Sequence, residues 1–247
     1  MHGFNWFTLL SEKINETNIH VVTGVFVLLL LLVLVLWVRR HLIRMEKTLI
    51  PSDKITLTNV FELIVENVLT LMEGIIGPTA RKHFPLVATL FIFIFFSNLL
   101  GLIPGFLPPT ANINTNLAMA ACVFIYFNVM GIKEQGFINY FKHFMGVAPQ
   151  GPIWAFIPGL LLSLLIFSIE IFGITIRPVT LSLRLLANIN ADHLVVGIFS
   201  SLSPLIVPIV FMILGLFVAF VQAFVFSLLT IIYIALATAH GEEEAHH

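Results

Sequence analysis

The sequence predicts an all-α protein that crosses a membrane five times and adds one amphipathic helix at the membrane surface. Three observations carry that prediction. Of 247 residues, 59% are hydrophobic and 10% charged, with a mean hydropathy of +1.04; soluble domains sit near about 45–50% and about 25%. Long stretches are free of charge: Phe84 to Ile132 contains no Asp, Glu, Lys, Arg or His. The charges that do occur gather in short segments between such stretches. A soluble domain is thereby excluded, and a net charge of −1 gives no footprint for nucleic acid. The single cysteine, Cys122, cannot form an internal disulfide, and its apolar setting predicts a small core residue. No metal-ligand pattern is expected, the closing HGEEEAHH included.

The chain reads as one membrane domain over residues 1–247. Residues 1–20 lack a basic n-region and an A-x-A-like cleavage site, so no signal peptide is expected. Residues 21–38, VVTGVFVLLLLLVLVLWV, form the first span, since about 20 apolar residues cross the hydrocarbon. Arg39, Arg40, Arg44 and Lys47 follow at once and predict a cytoplasmic end, with the N-terminus outside. Residues 55–80 set Phe61, Ile64, Val65, Val68, Leu69 and Met72 at helical spacing opposite Glu62, Glu66 and Glu73, which predicts a surface helix ending near Gly77-Pro78. The Glu62–Glu66 pair is read as a solvated face rather than acid–base chemistry.

Spans two and three are expected over residues 86–103 and 117–132, joined by the external turn PGFLPPTANINTN. Lys133, Glu134, Lys142 and His143 return the chain to the cytoplasm. The fourth span is expected over residues 158–190 and the fifth over 204–239, each opened by a proline, with the C-terminus cytoplasmic. Thirty-odd residues rise ~45–50 Å against ~30 Å of hydrocarbon, so both must tilt steeply or bend. Gly173 and Pro178 are candidate bends.

The chemistry concentrates in the fourth span. At about 100° per residue, Glu170, Arg177 and Arg184 nearly eclipse, and Gly173, Thr180, Asn188 and Asp192 share their side. His193 falls off this stripe if the helix is straight. Polar stripes on apolar segments face a partner or a water-filled cleft rather than lipid. Arginine cannot shed its charge, so Arg184, set among Leu181, Leu183, Leu185 and Leu186, requires a partner. Glu170 lies ~21 Å along the axis and Asp192 ~12 Å. Gln222 is the main polar side chain able to reach across from the last span. The missing partner is therefore expected on another membrane subunit, most simply as a carboxylate. Plainer roles compete elsewhere on the stripe. Arg177 could satisfy carbonyls freed by Pro178, Asn188 and Gln222 could serve as interhelical hydrogen bonds, and Glu170 could stay neutral. Asp192 and His193 could already stand in external water.

Four segments carry a family resemblance: PVTLSLRLLANINADH (178–193), VQAFVFSLLTIIYIALA (221–237), PPTANINTNLAMA (108–120) and FSNLLGLIPG (96–105). They resemble the subunit a family of F-type ATP synthases, the membrane stator beside the rotating c-ring, over nearly the whole chain. The resemblance implies five membrane helices and a surface helix, with the last two tilted against the ring. It implies that Arg184 is the stator arginine, Gln222 the glutamine opposite it and Asn188 the asparagine one turn on. Glu170 resembles the acid of the cytoplasmic half-channel, and His193 stands where the family places Glu or His in the external one. Gly215 replaces a histidine or acid found in some members, and Asn112 an acid found in many. Asp192 joins the expected proton-translocation residues, and Arg177, Thr180 and Asn112 form the expected secondary polar lining. The implied activity is proton translocation coupled to ATP synthesis, non-catalytic in this chain, without cofactor. The implied partners are c-ring subunits, peripheral-stalk b subunits and membrane lipid in a bacterial inner membrane.

Three other classes compete with this reading. A self-contained transporter would bind an anion with Arg177 and Arg184, but no internal repeat is visible. An intramembrane hydrolase would need a nucleophile frame, and none is present; Asp192 and His193 are adjacent and diverge by ~100° on one helix. A purely structural anchor leaves the mid-membrane charges unexplained.

Overall fold

The computed structural model describes residues 19–45, 57–103, 105–137, 140, 153–202 and 206–238. The described chain is helical throughout: α1 (Ile19–Met45), α2 (Leu57–Ile76), α3 (Ala80–Gly101), a 3-10 turn (Pro109–Ala111), α4 (Ile113–Gln135), α5 (Ile153–Leu202) and α6 (Ile206–Thr238). Five of these, all but α2, are long and apolar enough to cross a membrane. The expectations for residues 1–18, 46–56, 141–152, 203–205 and 239–247 lie outside the described residues, as do the side chains of Glu170, Asp192 and His193.

α2 is amphipathic, and its inner face is set by tertiary packing. Met72 is fully buried, and Val68, Leu71 and Ile76 join the core. Glu66 and Glu73 are exposed, as the pattern predicts. Val65, expected on the apolar face, is exposed, and Leu71 takes a place there instead. The helix stops because Gly77 adopts φ +82 and its N–H bonds to the carbonyl of Glu73 at 3.0 Å, a left-handed cap that glycine adopts without a Cβ clash. Arg81 Nε then meets Glu73 Oε1 at 3.2 Å on the exposed side.

α3 packs extensively on α6, and α4 on α5, so that α4 and α6 stand between α3 and the long helix α5. The core runs through Ile94 and Phe91 of α3, Val123 and Phe127 of α4, Leu185 of α5, and Phe226, Ile231 and Ile234 of α6. α1 is peripheral: among its described residues Ile19, Thr23, Val27 and Leu31 are buried, the last two against Leu100, while most of its apolar surface stays exposed. An apolar surface of this extent suits lipid rather than water. Cys122, expected in the core, is exposed instead, because it falls on the face of α4 turned from α5 and α6.

α5 extends from residue 153 to 202, beyond the 158–190 span expected from hydropathy. Asp192, His193 and Ser200 interrupt the apolar pattern without breaking the backbone, and no proline occurs between Pro178 and Pro204 to stop it.

Candidate functional site

α5 buries one narrow face. Ile174, Leu181, Leu185 and Ile189 are buried, spaced so that they fall on one side of the helix. Arg184 precedes Leu185 and is therefore rotated ~100° from it, out of the core. It is exposed, like its neighbours Thr180 and Leu183. No ion pair reaches Arg184 among the described residues.

The polar stripe is divided rather than covered as a unit. Arg177 is half-buried, with its guanidinium carbon 5.1 Å from the centroid of the Tyr233 ring on α6. Its carbonyl accepts from Thr180 Oγ1 at 2.9 Å, and Ser182 Oγ donates to the carbonyl of Pro178 at 2.8 Å. Asn188 donates through Nδ2 to Gln222 Oε1 on α6. Between these two contacts the stripe opens outward, at Thr180 and Arg184.

Gln222 is 4% exposed, and its Nε2 has no hydrogen-bond partner. It lines a cavity of about 60 Å³ with Asn98, Asn188, Leu102, Gly215 and Ala219. A water needs about 10–15 Å³ of such space and two to four polar partners, so a few waters fit beside the three amides. Gly215 keeps this wall thin. A Cβ there would come within 2.5 Å of Leu102 Cδ2, so Leu102 fills the space that a larger residue at 215 would occupy.

Next to the cavity, a polar network ties the extended segment at 105–112 to α3 and α4. Thr110 Oγ1 donates to Asn98 Oδ1 at 2.9 Å, and Asn116 Nδ2 donates to the Thr110 carbonyl at 2.8 Å. Thr110 and Asn116 are both fully buried. Asn112 is the N-cap of α4, its Oδ1 accepting from the Asn114 N–H at 2.9 Å. The sequence reading placed Asn112 in the polar lining; the geometry engages its carboxamide oxygen in the cap.

At the other end, Gln135 Nε2 donates to the Ala237 carbonyl at 2.8 Å, and Tyr140 Oη to Asn128 Oδ1 at 2.8 Å. Burial raises the Tyr140 phenol above its ordinary range, while the Arg177 charge pulls it back down. Gly131 permits this closure, since a Cβ there would meet Tyr140 Cε2 at 2.5 Å. His83, fully buried, pairs its Nδ1 with Tyr126 Oη at 3.0 Å. Asn98, Asn116, His83 and Tyr233 were not singled out from the sequence. The first two had a usable signal, as amides inside or beside charge-free spans.

Among the described residues no group of three or more His, Cys, Asp or Glu could hold a metal ion. The arrangement presents one fixed cation outward, with a small polar cavity beside its helix.

Comparison with known proteins gives one family. The family model for the ATP synthase A chain matches residues 21–235. "ATP synthase subunit a" of Bdellovibrio bacteriovorus is 39% identical over 238 residues, 96% of this chain and 99% of that protein. "ATP synthase subunit a 1" of Syntrophotalea carbinolica is 43% identical over 92% of this chain and 87% of its own length. "ATP synthase subunit a" of Trichlorobacter lovleyi is 47% identical over 89% and 85%.

Proposed function

The chain belongs to the ATP synthase A chain family, and from that premise we propose that Arg184 serves a ring of rotor subunits as the fixed cation of proton translocation. The observation that carries the proposal is the exposure of Arg184 on the open side of α5, a helix long and apolar enough to cross a membrane, without an ion pair among the described residues. A charge that cannot be neutralised and has no partner among the described residues calls for an anion on a neighbouring subunit.

The mechanism follows from electrostatics. A rotor carboxylate facing lipid stays neutral, because ionisation there costs several kcal/mol (about 2.5–3.5 on insertion scales). Beside Arg184 the same carboxylate is favoured in its ionised form and releases its proton. The proton leaves by one aqueous half-channel, and the carboxylate is reprotonated from the other before returning to lipid. Arg184 separates the two paths, since a permanent cation repels protons and cannot relay them. Each proton moved down 100 mV supplies about 2.3 kcal/mol, which biases the direction of rotation. The choice between H⁺ and Na⁺ would rest with the rotor carboxylate.

In this reading Glu170 lines the cytoplasmic outlet. Asn188, Gln222 and the cavity they share with Asn98 lie toward the external inlet, with Asp192 and His193 beyond them on α5. Gln222, with an unpaired Nε2, would hold water there. The partners are the c-ring and peripheral-stalk b subunits, the chain itself is non-catalytic, and the location is a bacterial inner membrane with the N-terminus outside and the C-terminus cytoplasmic.

The test is ATP-driven proton pumping by inverted membrane vesicles carrying the assembled synthase. Arg184→Ala is expected to remove pumping while ATP hydrolysis by the catalytic sector persists. Pumping at the parental rate would refute the assignment.

A further inference from the structure

α5 and α6 touch through two polar contacts that share one register. Arg177 meets Tyr233, and Asn188 meets Gln222. The two α5 residues are eleven apart, and so are the two α6 residues, in opposite chain order. The helices therefore run antiparallel, with contacts repeating every three turns, ~16 Å along each axis. Eleven residues close on three turns to within about 20°, so each helix presents both of its contact residues along nearly one line. Arg184 lies between them on that line, seven residues after Arg177 and four before Asn188. In the same register α6 carries Phe226, which is 1% exposed and belongs to the core. It offers no polar group to Arg184.

We propose that Tyr233 is a positioning residue for Arg184. With Arg177 it forms the second of two clamps that fix the rotation of α5 about its own axis. That rotation decides the direction in which the unpaired guanidinium emerges. The proposal rests on the reading of Arg184 given above.

Two further features say why one clamp would not suffice. Pro178 follows Arg177 directly and lacks the N–H that would close the preceding turn. Gly173, one turn earlier, has nothing within 4 Å of where a Cβ would stand. α5 is thus weakest beside Arg177, and the Asn188–Gln222 bond lies three turns away from that weak point. The Tyr233 ring also packs on Phe127 of α4, at a centroid separation of 6.1 Å. A cation over an aromatic face is held more strongly when desolvated, and Arg177 is half-buried beside the ring. Phenylalanine would keep the face, and leucine would not.

The experiment uses the assembled synthase in inverted vesicles and reads ATP-driven proton pumping per assembled complex, with subunit content measured in parallel. Tyr233→Leu is expected to lower pumping about tenfold or more, since small misplacements of a charged group have large rate effects. Tyr233→Phe is expected to stay within about twofold of the parent, because the ring face remains. Arg177→Leu with Tyr233→Leu is expected to be no worse than Tyr233→Leu alone. Parental pumping in Tyr233→Leu, or equal damage from Phe and Leu, overturns the clamp. Should Tyr233→Leu fail to assemble, Arg177→Gln carries the same test from the other partner. Arg184→Ala, run alongside, separates the two levels. If it pumps normally, the reading of Arg184 itself fails; if it abolishes pumping while Tyr233→Leu does not alter it, the clamp alone fails.

Discussion

Two polar regions lie close together in this molecule and are treated in opposite ways. Around Asn98, Thr110 and Asn116, buried amides and a hydroxyl hydrogen-bond to one another and to backbone, as polar groups away from water must. On the outward face of α5, Arg184 is left exposed with no ion pair among the described residues. The first region closes within one chain, apart from Asn116 Oδ1, which has no hydrogen-bond partner; the second, on the proposed reading, is one half of a site. The contrast teaches that paired polar groups hold this fold, whereas the charge of Arg184, on the proposed reading, is left for a neighbouring subunit.

The contrast predicts a double dissociation. The largest effect is expected from Arg184→Gln: coupling should fall about a hundredfold or more, while the amount of assembled subunit stays parental. A drop in assembly matching the drop in coupling would erase the distinction. Next is Thr110→Val, which leaves Asn98 Oδ1 without its donor. Losing such a buried bond costs about 1–3 kcal/mol, so the detergent-solubilised complex should unfold at a lower temperature with pumping per complex unchanged. A coupling defect at normal thermal stability would move Thr110 into the proton path. Smaller again is Asn112→Ala, which removes the α4 cap and about 1 kcal/mol. The same thermal scan should show a slight shift, and a loss of pumping without that shift would return Asn112 to the polar lining. Gly215→Ala should be milder still. Its Cβ is accommodated if the flexible end of Leu102 turns aside, and only a modest fall in pumping is expected from the narrowed cavity.

Much of this was legible in the sequence for identifiable reasons. The five membrane helices follow from long, predominantly apolar stretches, and the Arg177, Arg184 and Asn188 stripe follows from spacing on one helix. What was hidden depends on contacts between helices. The pairing of Arg177 with Tyr233 needs the register of α5 against α6, which no periodicity within either helix supplies. Val65 and Leu71 exchanged places because α2 is rotated by what it packs on. Asn112 stands directly before a helix, which is an N-cap signal, but the family resemblance drew attention to channel lining instead. The extension of α5 to Leu202 went unread because hydropathy falls where the helix leaves the apolar pattern, not where its backbone ends.

The central claim is that the outward face around Arg184 is completed by a rotor carboxylate. The most direct measurement is disulfide cross-linking in the assembled synthase, with Cys122→Ser as background. Ala187→Cys, on the exposed side of α5 one turn from Arg184, would be paired with a cysteine placed beside the rotor carboxylate. Leu185→Cys, from the fully buried side, serves as the control. The account predicts a cross-linked product between this chain and the rotor subunit from position 187 and none from 185. Cross-linking from 185 alone, or from neither position in a fully assembled complex, would contradict it.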